Sequence, residues 1–208
     1  MAQGMTMETE KRGLDKAVEI RENDDGSVTV SGYAAVFDEE ADIAGIFREV
    51  IRPGAFGNAL KRGDDVSFLI NHGGLPLARS TSRTMQLAED TRGLRIEATL
   101  DGTDPDVRRI VPKMKRGDLS KMSFAFSMEG GIQRWASSGD VELREIIEVG
   151  NLSDVSVVNA PAYEGTSIAL RSRDAANTEA EKERSEADEA RKAYALRKAE
   201  TEQKIRKI

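Results

Sequence analysis

Apolar and polar residues alternate in short bursts along most of the chain, a period-two pattern that marks half-buried β-strands. Two such runs, AVEIRE and SVTVSGYAAVF, flank Asn23-Asp24-Asp25-Gly26, whose residues tolerate turn dihedrals, and together they predict a β-hairpin between positions 17 and 36. Phe47, Val50 and Ile51 predict a further strand, which Pro53-Gly54 breaks before a short helix over 55–61. Strands are expected again at VSFLINH (66–72), TMQLAED (84–90), LRIEATL (94–100), MSFAFSM (122–128), ELREIIEV (142–149) and DVSVVNA (154–160). One longer helix interrupts them. Asp104-Pro105 is a helix-start signal, Val107, Ile110, Val111 and Met114 share one face through spacings of three and four, and Arg116-Gly117 ends the run. Many short strands with few helices predict a mainly β fold whose antiparallel sheet closes on itself, a β-barrel with peripheral helices.

The pattern lapses at both ends. Residues 1–12 are polar and unpatterned and are expected to be a flexible leader carrying no site; 13–173 form the expected folded domain. From 174 to 208 the chain is rich in both signs of charge, without Gly or Pro, and poor in large apolar residues. This segment is expected to be a charged helical tail, either a solvated helix or one that targets the protein to a scaffold or partner.

Composition narrows the chemistry. The formal net charge of −6 gives no general electrostatic attraction for nucleic acid or an anionic membrane, and no apolar run reaches the roughly 18–20 residues that span a bilayer. Neither partner is expected. The absence of cysteine excludes disulfides, thiolate metal sites and a cysteine nucleophile, and a single histidine, His72, excludes a two-histidine metal site within one chain. No metal or organic cofactor is expected.

Three segments could carry chemistry. His72 ends a strand-like run and precedes Gly73-Gly74, a placement that leaves room for a substrate. Ser123 lies in KMSFAFS, where alternation puts Phe124 and Phe126 on one face and Ser123, Ala125 and Ser127 on the other. Asp154 and Ser156 share a face of the last strand, opposite Val155 and Val157, and Glu148 is the rival carboxylate. Taken singly, each has a plain structural explanation: a hydrogen-bonded histidine, a packing serine, a capping acid. Ser67, Ser120, Ser127 and Ser156 compete with Ser123. Together the segments supply the serine, histidine and acid of acyl transfer, in chain order His, Ser, Asp. A G-x-S-x-G elbow is absent around Ser123, which argues against an α/β-hydrolase esterase.

The succession GYAAVFD, REVIRPGAF, FLINH, GDLSKMSFAF and LSDVSVVNAPAYEGT resembles the prohead proteases of tailed phages, the capsid-maturation serine proteases, over about residues 28–171. That family is similar in turn to the herpesvirus assemblins, which implies a closed antiparallel β-barrel of the herpesvirus-protease type. By motif position the resemblance implies Ser123 as nucleophile and His72 as general base. The assemblins place a second histidine where this sequence has Asp154, so a carboxylate takes that role here, Asp154 first and Glu148 as the alternative. Backbone N–H groups of Ala162 or Tyr163 are the implied oxyanion donors; Pro161 has none to offer. The implied substrates are the scaffold, the scaffold-like amino-terminal region of the major capsid protein, or both, together with the enzyme itself. The implied setting is the assembling prohead in the host bacterial cytoplasm, and the implied assembly is a homodimer. The competing reading is a non-catalytic capsid-assembly protein built on the same fold.

Overall fold

A computed structural model describes residues 8–14, 18–138, 141–160 and scattered positions between 169 and 191. The chain divides into two units, 1–168 and 169–208. In the first, the elements are β1 (Glu10–Leu14), β2 (Glu19–Glu22), β3 (Val28–Val36), β4 (Ala41–Ile43), β5 (Phe47–Ile51), α1 (Gly57–Arg62), β6 (Ser67–Ile70), β7 (Gly73–Arg79), β8 (Met85–Glu89), β9 (Gly93–Leu100), α2 (Pro105–Arg116), β10 (Lys121–Ser127), β11 (Ile132–Ser138), β12 (Val141–Glu148) and β13 (Asn151–Val158).

The expected closed barrel does not form. The strands make three sheets, ordered β1-β10-β13-β6-β7, β11-β12-β5-β4 and β2-β3-β9-β8, and none closes on itself among the described residues. Two pairings, β5 with β12 and β6 with β13, are parallel. The physical reason for the difference is that alternation reports which face of a strand is buried, whereas closure depends on which strands pair and in which direction. Both parallel pairs join strands far apart in sequence, which a period-two pattern cannot register.

Local structure follows the sequence more closely. The predicted hairpin forms from β2 and β3 in antiparallel register, with Gly26 at φ 82° in the turn and Asn23 Nδ2 donating to Ser27 and Thr29 hydroxyls. Helix α2 begins where Asp104 accepts the Asp106 N–H at 2.7 Å and has Pro105 at its first turn. It ends at Gly117, which adopts the left-handed conformation and donates its N–H to the last carbonyls. Val107, Ile110, Val111 and Met114 are its buried face, as expected. Asp104→Ala should therefore lower stability by about 1 kcal/mol; a urea midpoint equal to that of the parent chain would show that the cap contributes nothing.

Strand β10 is buried on both faces, and this positions the site. On one side Phe124 stacks on Phe126 with centroids 5.2 Å apart and meets Phe56 edge-on at 5.4 Å, while Phe56 stacks on Phe37 at 6.3 Å. Met122, Val155 and Val157 extend the same apolar layer. The other side of β10 carries Ser123, Ala125 and Ser127, all buried.

The leader expected over 1–12 reaches into this architecture, because Glu10–Leu14 is a strand and pairs antiparallel with β10. Two of its charged side chains, Glu10 and Arg12, are buried in a four-group network. Glu10 and Arg12 of β1 meet Glu49 of β5 and Arg144 of β12, so one sheet is tied to another through ion pairs of 2.5–2.9 Å. Burial depresses the Arg12 guanidinium pKa, but Glu49 and then Glu10 outweigh it and the net shift is upward. Of the charged tail expected over 174–208, the described positions up to 191 are helical, with Lys182 and Glu186 one turn apart at 4.0 Å; the remainder lies outside the described residues.

Candidate active site

Three neighbouring strands, β10, β13 and β6, build the site. Register places Ser123 directly opposite Ser156, and Ala125 opposite Asp154, so two serines and the aspartate share one face of the β10–β13 pair. On the far side of β13, parallel pairing aligns Ser156 with Leu69 and Val157 with Ile70. Strand β6 thus ends level with the top of that polar face.

The chain then turns sharply. Ile70 pairs with Gly73 across a two-residue loop in which Asn71 and His72 both have positive φ, 49° and 56°. This is the I′ type of hairpin, in which asparagine is a usual first residue and glycine the usual second. A histidine in the second place costs of order 1 kcal/mol of backbone strain and persists only where neighbours hold it. They do so here: the Asn71 N–H donates to the Val157 carbonyl at 3.0 Å, Asn71 Oδ1 accepts the Asn159 N–H at 3.2 Å, and the His72 N–H donates to Ser156 Oγ at 3.1 Å.

So held, the imidazole lies between an acid and a hydroxyl. His72 Nδ1 is 2.7 Å from Asp154 Oδ1, and Nε2 is 2.6 Å from Ser123 Oγ. An ionised carboxylate only accepts, so it places the ring proton on Nδ1 and leaves Nε2 to accept the serine proton. Ser123 is 0% exposed and Asp154 8%. The Ser123 hydroxyl has a second acceptor, the Arg12 carbonyl at 2.8 Å, so one proton faces two lone pairs.

The sequence-predicted residues fall as follows. His72, Ser123 and Asp154 come together. Glu148 does not join them; its carboxylate accepts from Asn58 Nδ2 at 2.7 Å, and it ends β12, a strand of another sheet. Among the described residues, Ser123 and Ser156 are the serines whose hydroxyls reach the His72 ring, with Ser156 Oγ 3.3 Å from Nδ1. Of the other rivals, Ser67 and Ser120 are half-buried, and Ser127 Oγ is buried with no hydrogen-bond partner among the described residues. Ala162 and Tyr163 lie outside the described residues, as does Pro161. Two contributors went unread: the Arg12 carbonyl, from a segment expected to carry no site, and Asn71, for which the Asn-His-Gly order after a strand was an available hairpin signal. Among the described residues no group of three or more His, Cys, Asp or Glu side chains is placed to hold a metal ion, and no helix is long and apolar enough to cross a membrane.

Residues 16–181 match the sequence model of the caudovirus prohead serine proteases. The chain belongs to this family. The match takes in every strand from β2 to β13 and leaves β1 outside. No curated protein and no solved structure matches the chain. For a prohead serine protease the chemistry to be housed is acyl transfer from a peptide to a serine hydroxyl, which needs a base within hydrogen-bond reach of that hydroxyl. The contact of His72 Nε2 with Ser123 Oγ has that reach.

Proposed function

We propose that the chain is a serine endopeptidase that cleaves the scaffold, the scaffold-like amino-terminal region of the major capsid protein, or both, inside the assembling prohead, and that Ser123, His72 and Asp154 do the chemistry. The observation that carries this reading is the unbroken line from Asp154 Oδ1 through both ring nitrogens of His72 to Ser123 Oγ, at 2.7 and 2.6 Å. In the first half-reaction Ser123 Oγ attacks the scissile carbonyl carbon while His72 Nε2 takes the hydroxyl proton. The tetrahedral oxyanion collapses, the C–N bond breaks, and Nε2 returns the proton to the leaving amine. Water then adds to the acyl-serine with His72 again as base, releasing the new carboxylate and restoring the hydroxyl. Asp154 holds the Nδ1–H tautomer and stabilises the imidazolium that forms twice in each cycle. Backbone N–H groups of Ala162 or Tyr163 are the proposed oxyanion donors, each worth about 3 kcal/mol to the barrier.

A non-catalytic assembly protein gives no account of this arrangement. Burying a serine hydroxyl and a carboxylate together costs free energy that apolar residues on the same strands would avoid. The segment 174–208 is proposed to target the enzyme to the scaffold, and a homodimer is the proposed assembly. Co-expression with the major capsid protein and scaffold tests the function: mass spectrometry should find one of them shortened at a discrete peptide bond, and intact masses for both would overturn the reading.

A further inference from the structure

The site contains a fourth side chain that the reaction as written does not use. Ser156 is 0% exposed and sits on β13 between the acid and the turn that carries the base. Its hydroxyl has one proton and two lone pairs, and three groups surround it. The His72 backbone N–H donates to Oγ at 3.1 Å. Oγ lies 2.8 Å from Asp154 Oδ1, the oxygen that also faces His72 Nδ1. It lies 3.3 Å from Nδ1 itself. The carboxylate is an acceptor only, so the Ser156 proton points to Asp154 and the lone pairs face His72.

Resting on the assignment of His72 and Asp154 above, we propose that Ser156 is the positioning residue of the site, fixing in one hydroxyl both the strained turn that aims the imidazole and the carboxylate oxygen that selects its tautomer. The two functions are joined because the lone pair that takes the His72 N–H belongs to the same atom that directs Asp154 Oδ1. A carboxylate oxygen left with Nδ1–H as its only partner can rotate, and a turn that has lost its N–H acceptor can relax its positive φ. Either motion carries Nε2 off the line to Ser123 Oγ. The pairing of Ser156 with Ser123 across β10–β13 places this hydroxyl at the centre of the site, although it touches neither Ser123 Oγ nor a substrate in the proposed reaction.

The chain's single histidine makes the test direct, because every imidazole nitrogen signal from histidine belongs to His72. In the full chain labelled with ¹⁵N-histidine, the neutral imidazole should show a protonated Nδ1 and an unprotonated Nε2. In Ser156→Ala the two nitrogen shifts should move toward each other as the tautomers mix. The rate at which diisopropyl fluorophosphate modifies Ser123 should fall about tenfold, and Ser156→Thr should return the nitrogen shifts to their parental separation and the rate to within about threefold of the parent. Parental nitrogen shifts and a parental rate in Ser156→Ala would overturn the proposal. So would a rate loss with unmoved nitrogen shifts, which marks packing damage. Ser123→Ala separates the two levels of argument: if it is modified as fast as the parent chain, the nucleophile assignment falls, while the nitrogen shifts still decide whether Ser156 sets the tautomer.

Discussion

Replacing Ser123 by alanine should abolish the proposed cleavage, with turnover falling at least about 10³-fold, while the fold survives. The substitution removes one oxygen from a face that already carries Ala125 two residues on, and the Phe124–Phe126 layer lies on the other side of β10. In the proposed reaction Ser123 Oγ is the atom that attacks and His72 Nε2 the base that takes its proton, so without that oxygen the imidazole has no hydroxyl to activate. His72→Ala should cost nearly as much, and the double variant little more than either alone, since residues that act as a unit give non-additive losses. Capsid or scaffold processing by co-expressed variants, quantified by mass spectrometry, checks all three. Processing by Ser123→Ala at a parental rate sinks the assignment, and additive losses sink the claim that the pair acts as one unit.

The largest expected effect on stability comes from Arg144→Met. Arg144 is completely buried and donates to both Glu10 and Glu49, at 2.6–2.9 Å, while its Nε reaches Gln133. Methionine has a comparable apolar length but leaves two buried carboxylates sharing Arg12. Breaking a buried network by removing one partner typically costs about 3–5 kcal/mol, a large part of the roughly 5–15 kcal/mol that holds a domain together. At a urea dependence of about 2 kcal/mol per molar, the midpoint should fall by about 1.5–2.5 M. Adding Glu10→Gln should return part of that loss, because one carboxylate then remains for one guanidinium. A fall below about 0.5 M would show that the network is worth little, and absence of recovery in the double variant would show that Glu10 is not its partner in energy.

Much of the site was legible because its residues obey local rules. Alternation alone placed Ser123 opposite in face to Phe124 and Phe126, and Asp154 beside Ser156 but away from Val155 and Val157. Helix α2 announced itself through Asp104, Pro105 and Gly117 together with a four-residue apolar face. Partner choice was not legible. Nothing in SFLI or NLSDVSVV says that β6 and β13 run parallel, and a barrel inferred from strand number gave way to three sheets for that reason. Strand β7 escaped notice because GGLPLAR contains a proline and two glycines; it is tolerated as a strand because it lies at a sheet edge. Asp154 stood ahead of Glu148 by resemblance alone, since a choice from the residues themselves depends on which sheet each strand joins. Ser156 read as a rival nucleophile because a serine's role is set by what surrounds its oxygen.

The placement of β1 bears on how this protein should be cut and tagged. The family match begins at residue 16, and a recombinant fragment drawn to that limit would discard Glu10, Arg12 and the carbonyl beside Ser123. Such a fragment would keep Glu49 and Arg144 but strip away half of their counter-charges and lay bare the hydrogen-bonding border of β10, an invitation to sticky strand-to-strand association. Fusions intended for solubility or purification therefore belong upstream of Glu10, with spacer enough to let that first strand dock.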